Sequence, residues 1–305
     1  MTCDPFSDIL QFTRAETVVS GGFSAGGDWA IRFPPFDKLK ICGLVKGSCG
    51  LWVDGFPDPV SIAEGDVVLL AAPLGFVIGS GPDIAPTAAE DLFDGHATRW
   101  VTLGETEEVI QVGGNVRLDP IHGRLLGDIL PPLIHVRATS AQAPALQWLL
   151  RQLLTERTQE APGANLAAAE IAQLILIQIL RAHVAEPAAP RSGWLRALSD
   201  PRLSAALQAM HGDPSRNWTL ASLARAAGMS RTTFAAGFKG AVGAPPVAYL
   251  TQWRMQLAQR ALREEATPVA ALAQSLGYAS ESAFSHAFKR VTGVGPKQYR
   301  LAARA

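Results

Sequence analysis

The sequence predicts an α+β chain: a small antiparallel β-barrel near the N-terminus, then a pair of helices, then an all-helical C-terminal part carrying two helix-turn-helix units. Three observations predict it. Short strand-like runs broken by turn residues fill residues 29–78. Helical periodicity takes over from Ala143 and continues almost to the end. Within the last third one pattern is written twice: Ser230–Lys239 aligns with Ser280–Lys289, and Gly243, Pro246 and Tyr249 are answered by Gly293, Pro296 and Tyr299, every pair 50 positions apart. A repeat at fixed offset marks a structural unit built twice. A length of 305 residues suits two domains.

The strand runs are Trp29–Phe33, Leu39–Val45, Cys49–Val53 and Asp66–Leu70. Lys46-Gly47 and Asp54-Gly55 are hairpin-turn signals, and Glu64-Gly65 opens the next strand. Short strands at this spacing suggest an antiparallel barrel. Its apolar residues Trp29, Ile31, Leu44, Trp52, Val68, Leu70 and Phe76 are ordinary barrel core by default and the candidate lining of a ligand cavity otherwise. Cys42 and Cys49 flank the Lys46-Gly47 turn, which predicts that they face each other across a hairpin. With Cys3 they make three cysteines, too few for a secreted disulfide framework. The plain reading is small buried thiols in a reducing compartment; redox sensing by Cys42 and Cys49 is the alternative.

A metal-dependent enzyme would need histidines and a carboxylate converging inside the barrel. The six histidines, His96, His122, His135, His183, His211 and His286, all lie outside the strand run, and no His-x-His pair occurs. No cofactor or metal and no catalytic residue is therefore expected.

Ala143 to Gln159 places Leu146, Leu149, Leu150, Leu153 and Leu154 on one helical face. In the next helix, Asn165–Ala185, the run Ile171–Leu180 is apolar almost all round and has to be buried on more than one side, against the barrel or in a subunit interface. The run is short for a membrane span and carries Gln173 and Gln178. Pro187–Gly193 is rich in breakers and reads as a linker. The expected organisation is a sensor-like domain over 1–138, a helical hairpin over 139–186, a linker over 187–194 and the repeated helical domain over 195–305.

In the first repeat, Thr219 is placed to cap a helix whose face is Leu220, Leu223, Ala224 and Ala227. Gly228 marks the sharp turn, and Ser230 caps a second helix that buries Phe234 and Phe238. Arg231, Thr232, Ala235, Ala236 and Lys239 then point outward. The second copy repeats this with Val269, Leu272, Ala273 and Leu276, the turn Gly277-Tyr278-Ala279, the Ser280 cap and the Phe284/Phe288 face. Its outward residues are Glu281, Ser282, Ser285, His286, Lys289 and Arg290. Short polar side chains with Arg and His at the start of such a helix suit base edges in a major groove. A helix from Pro246 to about Ala266 joins the copies, with Pro268 opening the next one.

The charge distribution agrees. Residues 1–190 hold 12 Lys or Arg and 22 Asp or Glu, a net of −10; residues 191–305 hold 15 and 5, a net of +10. The basic half is the half with the repeat, which is a nucleic-acid signal.

Residues 216–300 resemble the DNA-binding domain of the AraC/XylS family of bacterial transcription regulators. Gly293-Val-Gly-Pro-Lys-Gln-Tyr-Arg300 is similar to the family's closing signature, and Gly277–Phe284 to its consensus turn into the second recognition helix. The resemblance implies that each unit enters one of two neighbouring major grooves. The base-reading positions are then Arg231, Thr232, Ala235 and Ala236 in one unit and Glu281, Ser282, Ser285 and His286 in the other. Ala235 and Ala236 offer no hydrogen bond, so reading there leans on Arg231 and Thr232. Asp4–Leu10 and Glu64–Leu70 are similar to the cupin-type sensor domain of one branch of the family, although Phe76 stands where relatives often carry histidine. Expected partners are promoter DNA, a small-molecule effector, RNA polymerase for an activator, and a second copy in a homodimer; no membrane is expected. No basic-then-apolar leader opens the sequence, which predicts a cytoplasmic location. Two other readings stay open: a metal-dependent cupin enzyme fused to a DNA-binding domain, and an effector-independent regulator whose barrel only dimerises.

Overall fold

The computed structural model describes residues 4–302 apart from 14, 37, 94–99, 120–122, 124, 125, 127–129, 160, 187–193 and 265. Cys3, His96, His122 and the linker 187–193 lie outside the described residues. Two compact units emerge, residues 12–189 and residues 1–11 with 190–305. The sequence division places residues 1–11 in the sensor domain; the structure groups them with the C-terminal helices.

The first unit is two facing sheets. Its strands are β1 (Glu16–Ala25), β2 (Ala30–Phe33), β3 (Leu39–Lys46), β4 (Ser48–Val53), β5 (Val60–Ala63), β6 (Val67–Leu70), β7 (Phe76–Gly79), β8 (Thr87–Ala88), β9 (Trp100–Leu103), β10 (Val109–Arg117) and β11 (Leu133–Val136). One sheet runs β11-β6-β3-β10-β1-β9, the other β5-β4-β7-β2-β8. Pairing is antiparallel except at two edges, where β9 runs parallel to β1 and β8 to β2. Phe23, Ile31, Leu44, Leu51, Val68 and Phe76 fill the space between the sheets.

The chain from β3 to β6 is one two-stranded ribbon folded across both sheets. β4 pairs with β5 around the Asp54-Gly55 turn, as that signal predicts, while β3 pairs with β6 in the other sheet. The folds of the ribbon fall at Gly47 and Gly65, with φ of 82° and 85°. Both are values that glycine adopts without steric cost. This corrects the reading of Lys46-Gly47: it is a corner between sheets, because β3 pairs with β10 and β6 in one sheet while β4 pairs with β5 and β7 in the other; a Cβ at Gly47 would also strike the carbonyl of Glu108. Cys42 and Cys49 consequently sit on opposing sheets rather than across a hairpin. Asp66, buried at the second corner, accepts from Ala63 N at 3.1 Å and Ala138 N at 2.6 Å and lies 2.8 Å from His135 Nε2. His135 itself stands on β11.

A short helix, α1 (Pro5–Phe12), precedes the strands, and α2 (Ala89–Phe93) follows β8. Helices α3 (Ala143–Thr158) and α4 (Ala164–Ala185) pack on each other and on the larger sheet. The leucines predicted for α3 are buried, apart from Leu154, which is half-buried. At 22 residues α4 is, by length and composition, long and apolar enough to cross a membrane, unlike the shorter run considered above. Ala168, Ala172, Ile175, Leu176, Ile179 and Leu180 are nevertheless buried within the unit. Gln173 accepts from Thr17 N at 3.2 Å and from its hydroxyl at 3.1 Å, which ties the helix to β1.

The second unit is helical: α5 (Trp194–Ser199), α6 (Pro201–Gly212), α7 (Leu220–Ala226), α8 (Arg231–Val242), α9 (Pro246–Glu264), α10 (Val269–Ser275), α11 (Glu281–Thr292) and α12 (Pro296–Ala302). It has two cores. Leu203, Leu207, Met210, Leu223, Phe234 and Phe238 form the first; Leu262, Leu272, Leu276, Phe284 and Phe288 form the second. Helix α9 serves both, giving Leu250 to the first and Met255, Ala258 and Leu262 to the second. Its 19 residues span about 28 Å at 1.5 Å per residue.

Candidate nucleic-acid interface

The repeat in sequence is a repeat in structure, and the turn and the serine cap of the second helix recur bond for bond, while the cap that starts the first helix belongs to the first copy alone. Thr219 accepts from Ser222 N at 3.1 Å, and the Ser222 hydroxyl accepts from Thr219 N at 2.9 Å, a reciprocal cap that starts α7. The turn after α7 closes with Gly228 N donating to Arg225 O and Met229 N to Ala224 O; after α10, Gly277 N donates to Gln274 O and Tyr278 N to Ala273 O. Ser230 then accepts from Thr233 N at 3.2 Å and Ser280 from Ala283 N at 3.1 Å. Gly243 and Gly293, with φ of 83° and 81°, end α8 and α11. The phenylalanines of both helices are fully buried, so the opposite faces are held outward by packing rather than by any polar contact of their own.

Those outward faces are the ones read from the sequence. Arg231, Thr232, Ala236 and Lys239 on α8 are exposed and Ala235 is half-buried; Glu281, Ser282, His286, Lys289 and Arg290 on α11 are exposed and Ser285 is half-buried. The side chains of Arg231, Lys239, Glu281, His286 and Lys289 make no hydrogen bond or ion pair with another described residue. Each is therefore available to a partner without first breaking an internal contact.

What sequence reasoning did not find is the junction that holds the two motifs together. Arg254, midway along α9, donates through Nε to Pro214 O at 2.6 Å and through an Nη to Arg216 O at 2.9 Å, and its guanidinium lies 5.7 Å from the Tyr278 ring centre. Gly277, with φ of 76°, presses against the same loop: a Cβ there would overlap the carbonyl oxygen of Ser215. Asp213 organises that loop by accepting from the Ser215 hydroxyl at 2.6 Å and Arg216 N at 3.0 Å, and the Ser215 bond holds its carboxyl below the ordinary range. In the sequence Arg254 is one more charge on a polar helix face. A second buried contact closes the unit. His211 stacks on Trp253 at 4.1 Å, with Nδ1 3.1 Å from Asp8 of α1 and Nε2 2.8 Å from the Tyr249 hydroxyl.

The barrel holds a cavity of about 500 Å³. Its hollow follows from the register of three neighbouring strands. On β3, β10 and β1 the rows facing the other sheet read Leu44–Gln111–Phe23 and then Cys42–Gly113–Gly21. In the second row two of three positions have no side chain, so the sheet offers nothing to fill the space above them. Beyond it Lys40 stands opposite Asn115. Phe33, Phe76 and Phe93 form the facing wall, with Phe33 and Phe76 stacked at 4.7 Å and Phe33 and Phe93 6.1 Å apart. Of the seven candidate lining residues, Phe76 lines the cavity. Trp29, Ile31, Leu44, Val68 and Leu70 pack in the surrounding core, and Trp52 is half-buried with its ring over Gly50. Cys42 lines it too; burial pushes its thiol up, and pushes Cys49 up to about 12. Among the described residues no three His, Cys, Asp or Glu side chains stand close enough to hold a metal ion.

Residues 4–185 match the family model described as Cupin, and residues 223–302 the one described as a helix-turn-helix domain. The chain is 40% identical over 297 residues to a protein of Streptomyces lividans named as an AraC-like transcription regulator, covering 97% of this chain and 98% of that one. It is 34% identical over 286 residues to the HTH-type transcriptional regulator AlkR of Acinetobacter baylyi, covering 90% and 91%. Among solved structures it is similar to the DNA-binding domain of AdpA, a global transcriptional factor crystallised with a target DNA. That likeness has 32% identity and a TM-score of 0.33, and covers 35% of this chain and 95% of that chain.

Proposed function

The chain belongs to the AraC-like transcription regulators, with an N-terminal cupin-like domain and a C-terminal DNA-binding domain, and from that membership we propose that α8 and α11 read two successive major-groove faces of one promoter while the barrel binds the small molecule that governs them. The observation that carries the reading is the twofold build: two helices begun by the same serine cap, buried through the same phenylalanine pair, and presenting unpaired polar side chains in the basic half of the chain. Arg231, Thr232 and His286 contact bases, Ala235 and Ala236 meet thymine methyl groups, and Lys239, Lys289 and Arg290 meet phosphates. The rigid junction at Arg254 and Gly277 fixes the spacing of the two helices, so one effector-dependent change displaces both together.

In this reading the barrel is a sensor and not an enzyme, and the protein works in the cytoplasm as a homodimer, contacting RNA polymerase where it activates. Exposed Trp148 on α3 and exposed Leu166 and Leu174 on α4 favour these helices as the dimer contact.

The test is selection of bound genomic fragments by the full-length protein at near-physiological salt. The expected result is a motif with two elements one helical turn of DNA apart, about 34 Å. Arg231→Ala and His286→Ala should each relax preference at one position, costing about 1–3 kcal/mol on the right site. Lys289→Ala should weaken every site alike and lower the salt slope by about one. Salt-sensitive binding with no motif, or identical behaviour of all three variants, defeats the assignment.

A further inference from the structure

We propose that the barrel cavity is built for an organic monoanion: an aliphatic or aromatic body carrying one carboxylate, with the charge seated on Lys40. The proposal rests on the reading of the barrel as the effector site and names the chemistry of what fills it.

The body follows from the walls. A volume of about 500 Å³ falls within the range of small-molecule sites. Three phenylalanine rings on one side and the Cys42–Gly113–Gly21 row, two of its three positions bare, on the other leave a flat apolar slot. Filling that slot with water would leave those apolar surfaces wet, whereas a hydrocarbon or aryl group removes them from solvent.

The head follows from one side chain. Lys40 points into the slot from β3, half-buried, with its Nζ 4.6 Å from the Phe33 ring centre. It has no hydrogen bond and no ion pair with another described residue. The ring face compensates its charge only weakly. Burial accordingly pushes its pKa down, and Cys42, its neighbour two residues on, opposes that shift. A half-buried cation with no counter-ion among the described residues costs free energy that a bound anion removes. Asn115, directly opposite in the register, adds amide N–H groups that a carboxylate can accept from. Among the described residues two other charges line the cavity, Lys38 and Glu90, and both are exposed and so screened by water. One half-buried ammonium with one amide matches a single negative charge; a doubly charged phosphate would be left short of donors, and a neutral ligand would leave Lys40 uncompensated.

The experiment compares acids with their amides. Calorimetric titration of the full-length protein with decanoate and with 4-tert-butylbenzoate, and with the primary amide of each, needs no variant. At least one acid should bind, and its amide should bind at least tenfold more weakly. Lys40→Met should erase that preference and leave the amide's affinity unchanged. Gly113→Leu, which fills the slot from β10, the strand next to β3, should abolish binding of both, with circular dichroism checking that each variant keeps its fold. Equal binding of acid and amide to the wild type, or a preference that survives Lys40→Met, overturns the charge assignment and leaves the effector site standing. Failure of all four probes to bind, or binding that Gly113→Leu does not alter, overturns the proposal together with the reading of this cavity as the effector site.

Discussion

The two copies of the helix-turn-helix carry equivalent turn glycines in unequal surroundings, and that inequality has a measurable size. Gly228 has a φ of 60° and open space where a side chain would go; Gly277 has a φ of 76° and the Ser215 carbonyl in that space. Alanine at either position bears the left-handed backbone, about 1–2 kcal/mol. For Gly228→Ala that is the whole cost. At Gly277 the new methyl group must also push the loop over Asp213–Arg216 away, an overpacking term of about 1–3 kcal/mol. The two variants should therefore differ by about 1–3 kcal/mol, roughly a 5- to 150-fold difference in the opening equilibrium of the affected motif. Hydrogen exchange of the full-length protein, read peptide by peptide, isolates local opening from global unfolding. Amides of α10 and α11 in Gly277→Ala should exchange faster by that ratio than amides of α7 and α8 in Gly228→Ala. Equal acceleration in the two would mean that the close approach at Ser215 is not a constraint. The idea that the junction sets the relation of the two motifs would then go with it.

Further outcomes rest on other contacts. Phe234→Ala and Phe284→Ala should each cost about 3–5 kcal/mol, but in different places. Exchange should rise first over 203–250 in one case and over 255–299 in the other, because each ring belongs to its own core. Cys42 and Cys49 should resist iodoacetamide at pH 8 in the native protein, since burial holds both thiols protonated, Cys49 up to about 12; peptide mapping that finds either one alkylated would favour the redox reading of this pair. Asp213 has its folded pKa held below 3.8 by the Ser215 hydroxyl. Its contribution is therefore complete above that value and lost as pH falls through the lowered one. Pepsin should accordingly cut near Trp218 faster as the pH drops toward 2, and Asp213→Asn should flatten that dependence.

How much of this was legible in the sequence differs between the halves for a physical reason. In the C-terminal half every local cue acts on its own neighbourhood. Thr219, Ser230 and Ser280 cap the helix they precede, glycine follows the helix it ends, and each phenylalanine pair lies within one helix. The repeat then checks each reading against the other. What escaped, Arg254 reaching Pro214 and Arg216, joins positions 38 and 40 residues apart, and nothing local marks it. In the barrel the strands that read clearly are the compact apolar ones. β1 and β10 were missed because Gly21-Gly22 and Gly113-Gly114 interrupt their alternation. Those are strands whose bare positions leave the cavity open, so the feature that hid them is the feature that shapes it. The ribbon's corners misled for a related reason: Lys46-Gly47 has the composition of a tight turn, and only the pairing of β3 with β6 tells a corner from a hairpin.

Because α9 is rooted in both cores, its length works as an angular setting between the two helix-turn-helix units. Every residue added to an α-helix turns the chain beyond it by about 100° and advances it about 1.5 Å. One residue inserted between Trp253 and Met255 would turn the outward face of α11 by roughly a quarter-turn relative to that of α8. Seven residues, close to two whole turns, would restore the bearing to within about 20° yet carry the second unit about 10 Å further along. Change along α9 is thus tolerated on its exposed face, away from Arg254 and the core residues, but quantised in length: a single deletion rotates one helix-turn-helix unit against the other.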